Sequence, residues 1–314
     1  MIKINKPKFW DKKIGFFAIL LFPLSLVLNC LIFLKKKIVK VRKFKIPVVC
    51  IGNIYIGGTG KTPTSILLAK ELSRLGKKPV ILRKYYRNHY DEYNLIKNNF
   101  KNLIVDKNRL AGLKKAEESD FDIALLDDGL QDYKIDKSQT IVCFNSNQLV
   151  GNGLVLPAGP LRETLYALKN ADIVLINGDK VQNFENKILS INKRIEIFYS
   201  FYKPLNLEEF KNKKLLAIAG IGNPENFFQI IEKNNLKISK KITFPDHYEI
   251  SRDEIQNIVN EAKSNDFQII MTEKDYFKVN KYKLGKINYL KVNLEIYEKE
   301  RLLNKIKSLY DQNY

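Results

Sequence analysis

The stretch VCIGNIYIGGTGKTP, Val49–Pro63, decides the fold. Ile46–Gly52 is an apolar segment with the length of a short buried strand. From Lys61 to Leu75, the residues Ile66, Leu67, Ala69, Leu72 and Leu75 recur at helical spacing, and Gly76 stands where a C-cap glycine belongs. Between strand and helix lie Gly57, Gly58 and Gly60, followed by Lys61 and Thr62. Glycines let backbone N–H groups turn inward around a phosphate. A lysine here reaches the outer phosphates, and the adjacent hydroxyl suits magnesium. Pro63 falls in the first helical turn, where its missing N–H costs little. Tyr55, Ile56, Gly57, Gly58, Thr59, Gly60, Lys61 and Thr62 are therefore the candidate nucleotide-binding loop. Tyr55 stands where the general pattern begins with glycine, the least critical position. The competing reading is a Gly-rich turn before a helix, with no ligand.

Downstream, Pro79–Leu82, Phe121–Leu126, Thr140–Phe144 and Ala171–Ile176 read as further strands separated by helical or irregular stretches. That alternation predicts an α/β fold, a P-loop core with a mostly parallel sheet wrapped by helices. A second, smaller α/β unit begins near Lys214. It has strands at Leu215–Ala219, Phe267–Met271 and Ile287–Val292, and helices at Glu225–Lys233, Ser251–Ser264 and Glu298–Tyr310. The expected organisation is an N-terminal segment (1–45), the P-loop core (46–192), a connector (193–213) and the smaller domain (214–314). No internal repeat is present.

The segment FDIALLDDGLQD places Asp127 and Asp128 at the carboxyl end of a strand, where open α/β sheets put their ligands. One of these carboxylates is expected to hold Mg²⁺ opposite Thr62. A solvated Asp-Asp-Gly turn is the alternative. The two histidines are His89 and His247. His247, in FPDHYEI, is a candidate to accept a hydroxyl proton, against the plainer reading of a structural or exposed histidine.

Composition narrows the partners. Net charge is +20, and residues 1–45 hold twelve Lys or Arg against one acid, so this segment alone carries +11. Inside it, IGFFAILLFPLSLVLNCLIFL (Ile14–Leu34) is 21 residues without a charge, about 30 Å of helix, close to a bilayer's hydrocarbon thickness. That apolar run argues against the rival reading, a nucleic-acid-binding arm, and points to an anionic membrane surface. Lys12 and Lys13 flank one end and Lys35, Lys36 and Lys37 the other, so neither side is marked as cytoplasmic. With Pro23 and Asn29 interrupting the run, an in-plane or re-entrant anchor fits best. A full crossing, a signal peptide and a buried core helix are the alternatives. The three cysteines form no CxxC pair, which excludes a disulfide framework and a zinc site.

Several segments, in order, resemble the tetraacyldisaccharide 4′-kinase family of lipid A biosynthesis. They are FWDKK, VVCIGNI, GGTGKTP, LDDGLQ, LVLPAGPLRE, AGIGNPENFF, FPDHY and MTEKD. The resemblance implies a kinase at the cytoplasmic face of the bacterial inner membrane, held there by its N-terminal helix. It would move the γ-phosphate of ATP, with Mg²⁺, to the 4′-hydroxyl of an acylated glucosamine disaccharide 1-phosphate. On the family pattern, Lys61 and Thr62 match the loop lysine and magnesium hydroxyl, and Asp127, Asp128 and Gln131 match the acidic strand end. Glu163 matches a metal or phosphate contact. Arg109 and Arg162, with Gln131 and Glu92, match substrate positions. Asp91 matches the acid that pairs with His247 as the catalytic base. Two departures stand out: LRKYYRN keeps only Arg83 and Tyr85 in step with the family, and Asp132 replaces a histidine. The alternative is a membrane-associated P-loop ATPase switch without a lipid acceptor. Because His247 lies in the second unit, domain closure is the expected way to complete the site.

Overall fold

The computed structural model describes residues 7–87, 89–285 and 287–311. Helix α1 (Phe16–Ile38) precedes strand β1 (Val48–Gly52), helix α2 (Lys61–Arg74) and strand β2 (Pro79–Lys84). Then come α3 (Tyr90–Asn99), β3 (Leu103–Asp106), α4 (Arg109–Glu118), β4 (Ile123–Asp127), β5 (Gln139–Asn145), β6 (Ile173–Asn177), α5 (Gln182–Ile191) and β7 (Glu196–Pro204). The chain continues through β8 (Leu215–Ala219), α6 (Pro224–Lys233), β9 (Ile238–Thr243), α7 (Arg252–Ser264), β10 (Gln268–Thr272) and α8 (Glu273–Val279). It closes with β11 (Ile287–Leu290), β12 (Val292–Ile296) and α9 (Lys299–Asp311).

The strands form an eight-stranded sheet, ordered β12-β7-β6-β5-β1-β4-β2-β3, and a four-stranded sheet, ordered β11-β10-β8-β9. From β7 to β3 in the large sheet, and across the whole of the small one, neighbouring strands run parallel. Parallel strands need helical crossovers that cover both faces, and the runs VVCIG, IALLD and LLAIA are accordingly buried at every position. In the large sheet, β4 inserts between β1 and β2, which aligns Ile51 with Asp127 and Asp127 with Arg83. The loop after β1, the acids after β4 and the arginine of β2 thus emerge from neighbouring strand ends.

Two compact units divide the chain. The smaller comprises Tyr86–Asn99 and Tyr202–Leu294, and the larger holds the other described residues. Helix α3 therefore belongs with residues 202–294 rather than with the strands that flank it in sequence, while α9, expected in the smaller domain, belongs to the larger unit. Helix α3 packs against α8, and Tyr93 and Ile96 bury one face of a helix too short to stand alone. Residues 196–204, read from sequence as connector, form β7; its half-buried alternation EIFYSFYKP lacks the continuous apolar run of the inner strands. Strand β9 (ISKKIT) escapes the same reading because its lysines protect a sheet edge.

Helix α1 runs unbroken through Pro23 and Asn29, where the sequence predicts an interruption. A proline deep in a helix forfeits one backbone hydrogen bond and strains one carbonyl, which the remaining turns of a 23-residue helix absorb. Only Ala18 and Ser25 are buried along it, while Phe16, Phe17, Ile19, Leu20, Leu24, Leu26, Val27 and Leu31 are all more than half exposed. The buried-core-helix alternative fails on that exposure. A buried polar contact pins the middle of the helix: Ser25 Oγ donates to the Val155 carbonyl at 2.8 Å and accepts from Ala158 N–H at 3.1 Å.

Replacing Ser25 by alanine leaves the buried Ala158 N–H without its acceptor, while the Val155 carbonyl keeps the Gly159 N–H at 3.1 Å. Ser25→Ala is expected to cost ~1–3 kcal/mol, read as a lowered melting midpoint in detergent solution. Unchanged melting would mean that the contact carries no weight.

Candidate functional site

The phosphate-type loop is built at the end of β1. Gly52 lies against Leu130, whose Cβ would stand 2.5 Å from any Cβ added there. Gly60 takes the left-handed conformation (φ 90°) as the N-cap of α2, a backbone state that suits glycine. Asn53 braces the loop from within, its Nδ2 donating to Gly57 O at 3.1 Å and Thr59 Oγ1 at 3.0 Å. Gly57, Gly58, Thr59, Gly60, Lys61 and Thr62 are brought together as the sequence predicts. Tyr55 points elsewhere: its ring is fully buried in the core and its hydroxyl donates to Asp11 Oδ1 at 3.1 Å. Main-chain hydrogen bonds tie the loop's entry to the PLRE segment, with Ile56 N–H on Pro160 O at 2.9 Å and Arg162 N–H on Ile54 O at 2.6 Å. Ile56 is itself partly exposed.

Asp127 and Asp128 have different surroundings. Asp127 is fully buried, forms a close ion pair with Arg83, and accepts from Thr62 Oγ1 at 3.0 Å and Ser65 Oγ at 3.2 Å. Asp128 takes a left-handed backbone (φ 60°), an uncommon state for a non-glycine residue, and keeps 19% of its side chain exposed. Its Oδ1 lies 2.8 Å from Arg162 Nη1 and 3.7 Å from Lys61 Nζ. Burial pushes the Asp128 carboxyl up, but Lys61, Arg162 and Arg83 outweigh it and hold the group well below the usual carboxylate range. Burial likewise pulls the Lys61 ammonium down, opposed by Asp128. From Arg162 a polar chain continues through Gln131 (3.2 Å) to Glu163 (3.1 Å), and Glu163 Oε2 lies 2.5 Å from Lys36 Nζ on α1. Arg109 is buried, with Nη2 donating to the Asp128 carbonyl at 2.6 Å and Nη1 3.6 Å from Asp132.

The smaller unit carries a second cluster. His247, also left-handed (φ 56°), has Nδ1 3.4 Å from Asp91 Oδ1. Lys274 Nζ lies 3.5 Å from both Asp91 and Glu92 and 2.8 Å from Asp246. Lys278 Nζ lies 3.5 Å from Asp91 and 2.8 Å from the fully buried Asp275. Burial pushes Asp91 up, and the His247 hydrogen bond with the two lysines more than reverses it, so Asp91 stays ionised. Asp91 and His247 thus meet inside one unit, since α3 belongs to it. Lys274 and Lys278 went unread in the sequence, although their four-residue spacing on one helix face was a usable signal. Arg83 was legible only as a residue in step with the family pattern, and its pairing with Asp127 needed the β2–β4 register.

The donors Thr62, Asp128 and Glu163 are hard oxygen ligands of the kind magnesium takes, and two of them are carboxylates now paired with cations that a metal would replace. The residues present fit such an ion.

A model of the family LpxK, tetraacyldisaccharide-1-P 4′-kinase, matches residues 17–311. A tetraacyldisaccharide 4′-kinase from Pelagibacter ubique is 39% identical over 319 residues, spanning 99% of this chain and 100% of that protein. One from Rickettsia bellii is 34% identical over 296 residues, 89% of this chain and 91% of that one. In structure the chain is similar to LpxK from Aquifex aeolicus, solved in complex with ATP, at TM-score 0.72 and 22% identity, covering 94% of this chain and 99% of that one.

Asp91, Asp128 and Asp246 shift in the same direction. Burial raises each, and neighbouring cations outweigh it, bringing Asp246 down to about 2. The unfolded chain therefore binds more protons in acid, so stability falls as pH falls. The melting midpoint is expected to be level above about pH 5 and to drop steadily toward about pH 2. Asp246→Asn should flatten the drop below about pH 4. A midpoint that rises on acidification would contradict these pairings.

Proposed function

The chain belongs to the tetraacyldisaccharide-1-P 4′-kinase family, and from that premise we propose that it moves the γ-phosphate of ATP to the 4′-hydroxyl of an acylated glucosamine disaccharide 1-phosphate. The product is the 1,4′-bisphosphate precursor of lipid A. One observation favours this over a nucleotide switch. A hydrolytic switch needs only the loop, whereas transfer to an alcohol needs a proton acceptor, and the Asp91–His247 pair is built as one.

The N–H groups of Gly57–Gly60 surround the phosphates, and Lys61 neutralises the β and γ oxygens. Thr62, Asp128 and Glu163 are the residues that would hold Mg²⁺, which when bound neutralises charge on the phosphate oxygens. Asp127, saturated by Arg83, Thr62 and Ser65, orients the Thr62 hydroxyl rather than offering itself as a ligand. Asp91 stays ionised and accepts from His247 Nδ1–H. This leaves Nε2 to take the proton of the acceptor hydroxyl. Arg162 and Gln131 stand beside Asp128, where they can meet substrate phosphate, and Glu92 lies beside the base. Arg109, being buried, supports that phosphate-binding region by holding the Asp128 carbonyl. The exposed apolar face of α1, with lysines at both ends, seats the enzyme on the anionic cytoplasmic surface of the inner membrane, where the acyl chains of the substrate lie.

Labelled ATP, Mg²⁺ and an acylated disaccharide monophosphate are expected to give a bisphosphorylated lipid. Lys61→Ala should lower turnover by about 10²–10³-fold. His247→Ala should lower it by about 10²–10⁴-fold while ATP still binds; unchanged turnover would remove His247 from the mechanism. Flotation with phosphatidylglycerol vesicles should capture the chain. The Lys35→Ala/Lys37→Ala variant should partition about tenfold or more weakly, at ~1 kcal/mol per lysine. Equal binding to neutral vesicles would argue against an electrostatic contribution.

A further inference from the structure

One contact touches the imidazole of His247 without a place in the chemistry above. The ring of His89 lies flat on it, with centroids 4.0 Å apart and planes 15° from parallel. His89 is itself held on two sides. Its Nδ1 is 2.9 Å from Glu92 Oε2, and the Tyr86 ring stands 4.9 Å away at 37°. Tyr86 is fixed in turn by Tyr93, whose hydroxyl accepts from Tyr86 N–H at 2.5 Å and donates to Tyr86 O at 3.0 Å. Glu92 and Tyr93 lie in the first turn of α3 beside Asp91, so one short stretch carries both the acid that faces His247 and the ring that covers it.

The His247–Asp91 separation of 3.4 Å is long for a hydrogen bond to a carboxylate, so that contact alone is a weak hold on the ring plane. His247 also sits on a left-handed backbone in a turn, with no helix or strand fixing its direction. Rotating the imidazole about its Cβ–Cγ bond would drive a ring edge into the face of His89. We propose that His89 is a positioning residue for His247. Its stacked ring keeps Nδ1 of His247 toward Asp91 and presents Nε2 to the acceptor hydroxyl. This inference rests on the reading of Asp91 and His247 as the proton-accepting pair.

The same residues invite another interpretation. Ligand atoms of His89, Glu92 and His247 lie within 4.8 Å of one another, a spacing compatible with a metal ion. Parallel stacked rings, however, aim their nitrogen lone pairs side by side, whereas a tetrahedral site needs them to converge. Lys274 Nζ, 3.5 Å from Glu92 Oε1, also supplies a positive charge where the ion would sit. Stacking is what this geometry serves.

Steady-state kinetics of the full chain with the lipid acceptor, alongside thermal melting, provide the test. His89→Ala is expected to lower kcat about 10- to 100-fold with both KM values and the melting midpoint unchanged. His89→Phe, which restores a flat ring without its nitrogens, should recover most of the loss. Wild-type kcat in His89→Ala would overturn the proposal, as would a His89→Phe variant no faster than His89→Ala. A kcat loss accompanied by raised KM and a lowered midpoint would overturn it in favour of a structural role. Inhibition by added Zn²⁺ that His89→Phe abolishes would assign a metal site instead. Normal turnover in His247→Ala would remove the pair itself. A dead His247→Ala beside a wild-type His89→Ala would remove only the positioning role.

Discussion

A carboxylate with no exposure at all sits at the end of β4, and the larger unit is organised around satisfying it. An unpaired charge at Asp127 would cost several kcal/mol in so dry a place. Arg83 from β2 neutralises it, and Thr62 and Ser65 from the first turn of α2 donate to it. One buried group thereby ties together β4, β2 and the helix that follows the glycine loop. The loop's hydroxyl is oriented by the same bond that keeps the acid solvated. Removing either charged partner would leave the other stranded.

From that anchor the polar network runs outward. Lys61 and Arg162 share Asp128, Arg162 reaches Gln131, Gln131 reaches Glu163, and Glu163 ends on Lys36. Lys36 belongs to the last turn of α1, the helix whose apolar face is otherwise exposed. The side chains around Lys61 and a lysine of the exposed apolar helix are therefore links of one polar chain within a single unit. Ser25 holds the same helix to the Val155–Ala158 stretch, a few residues before Arg162. The smaller unit keeps its own balance, with Asp91, Glu92 and Asp246 facing Lys274, Lys278 and His247.

Much of this was legible before any coordinates. GGTGKT announces itself because the backbone state of Gly60 and the chemistry of Lys61 and Thr62 are local properties of consecutive residues. The inner strands are equally plain, since full burial on both faces demands unbroken apolar runs. Edge and outer strands were harder: β7 and β9 carry polar or aromatic residues that solvent tolerates, so nothing in their pattern forbids a loop. The course of α1 through Pro23 also escaped, because a proline's local cost is small against the length of helix around it.

Sequence by itself determined the chemistry available: a phosphate loop, two acids at a strand end, an Asp and a His far apart in the chain, and an apolar helix between lysines. These are set by residue identity and short-range periodicity. Tertiary structure alone decided who meets whom. It buried Asp127 against Arg83 and left Asp128 partly open, a distinction that adjacent identical residues cannot reveal. It turned Tyr55 into the core and Arg109 onto a backbone carbonyl. It also placed α3 with residues 202–294, so that Asp91 reaches His247 from 156 positions away and His89 stacks on it. Such pairings depend on strand order and helix packing, which bring distant residues together through the burial of apolar faces.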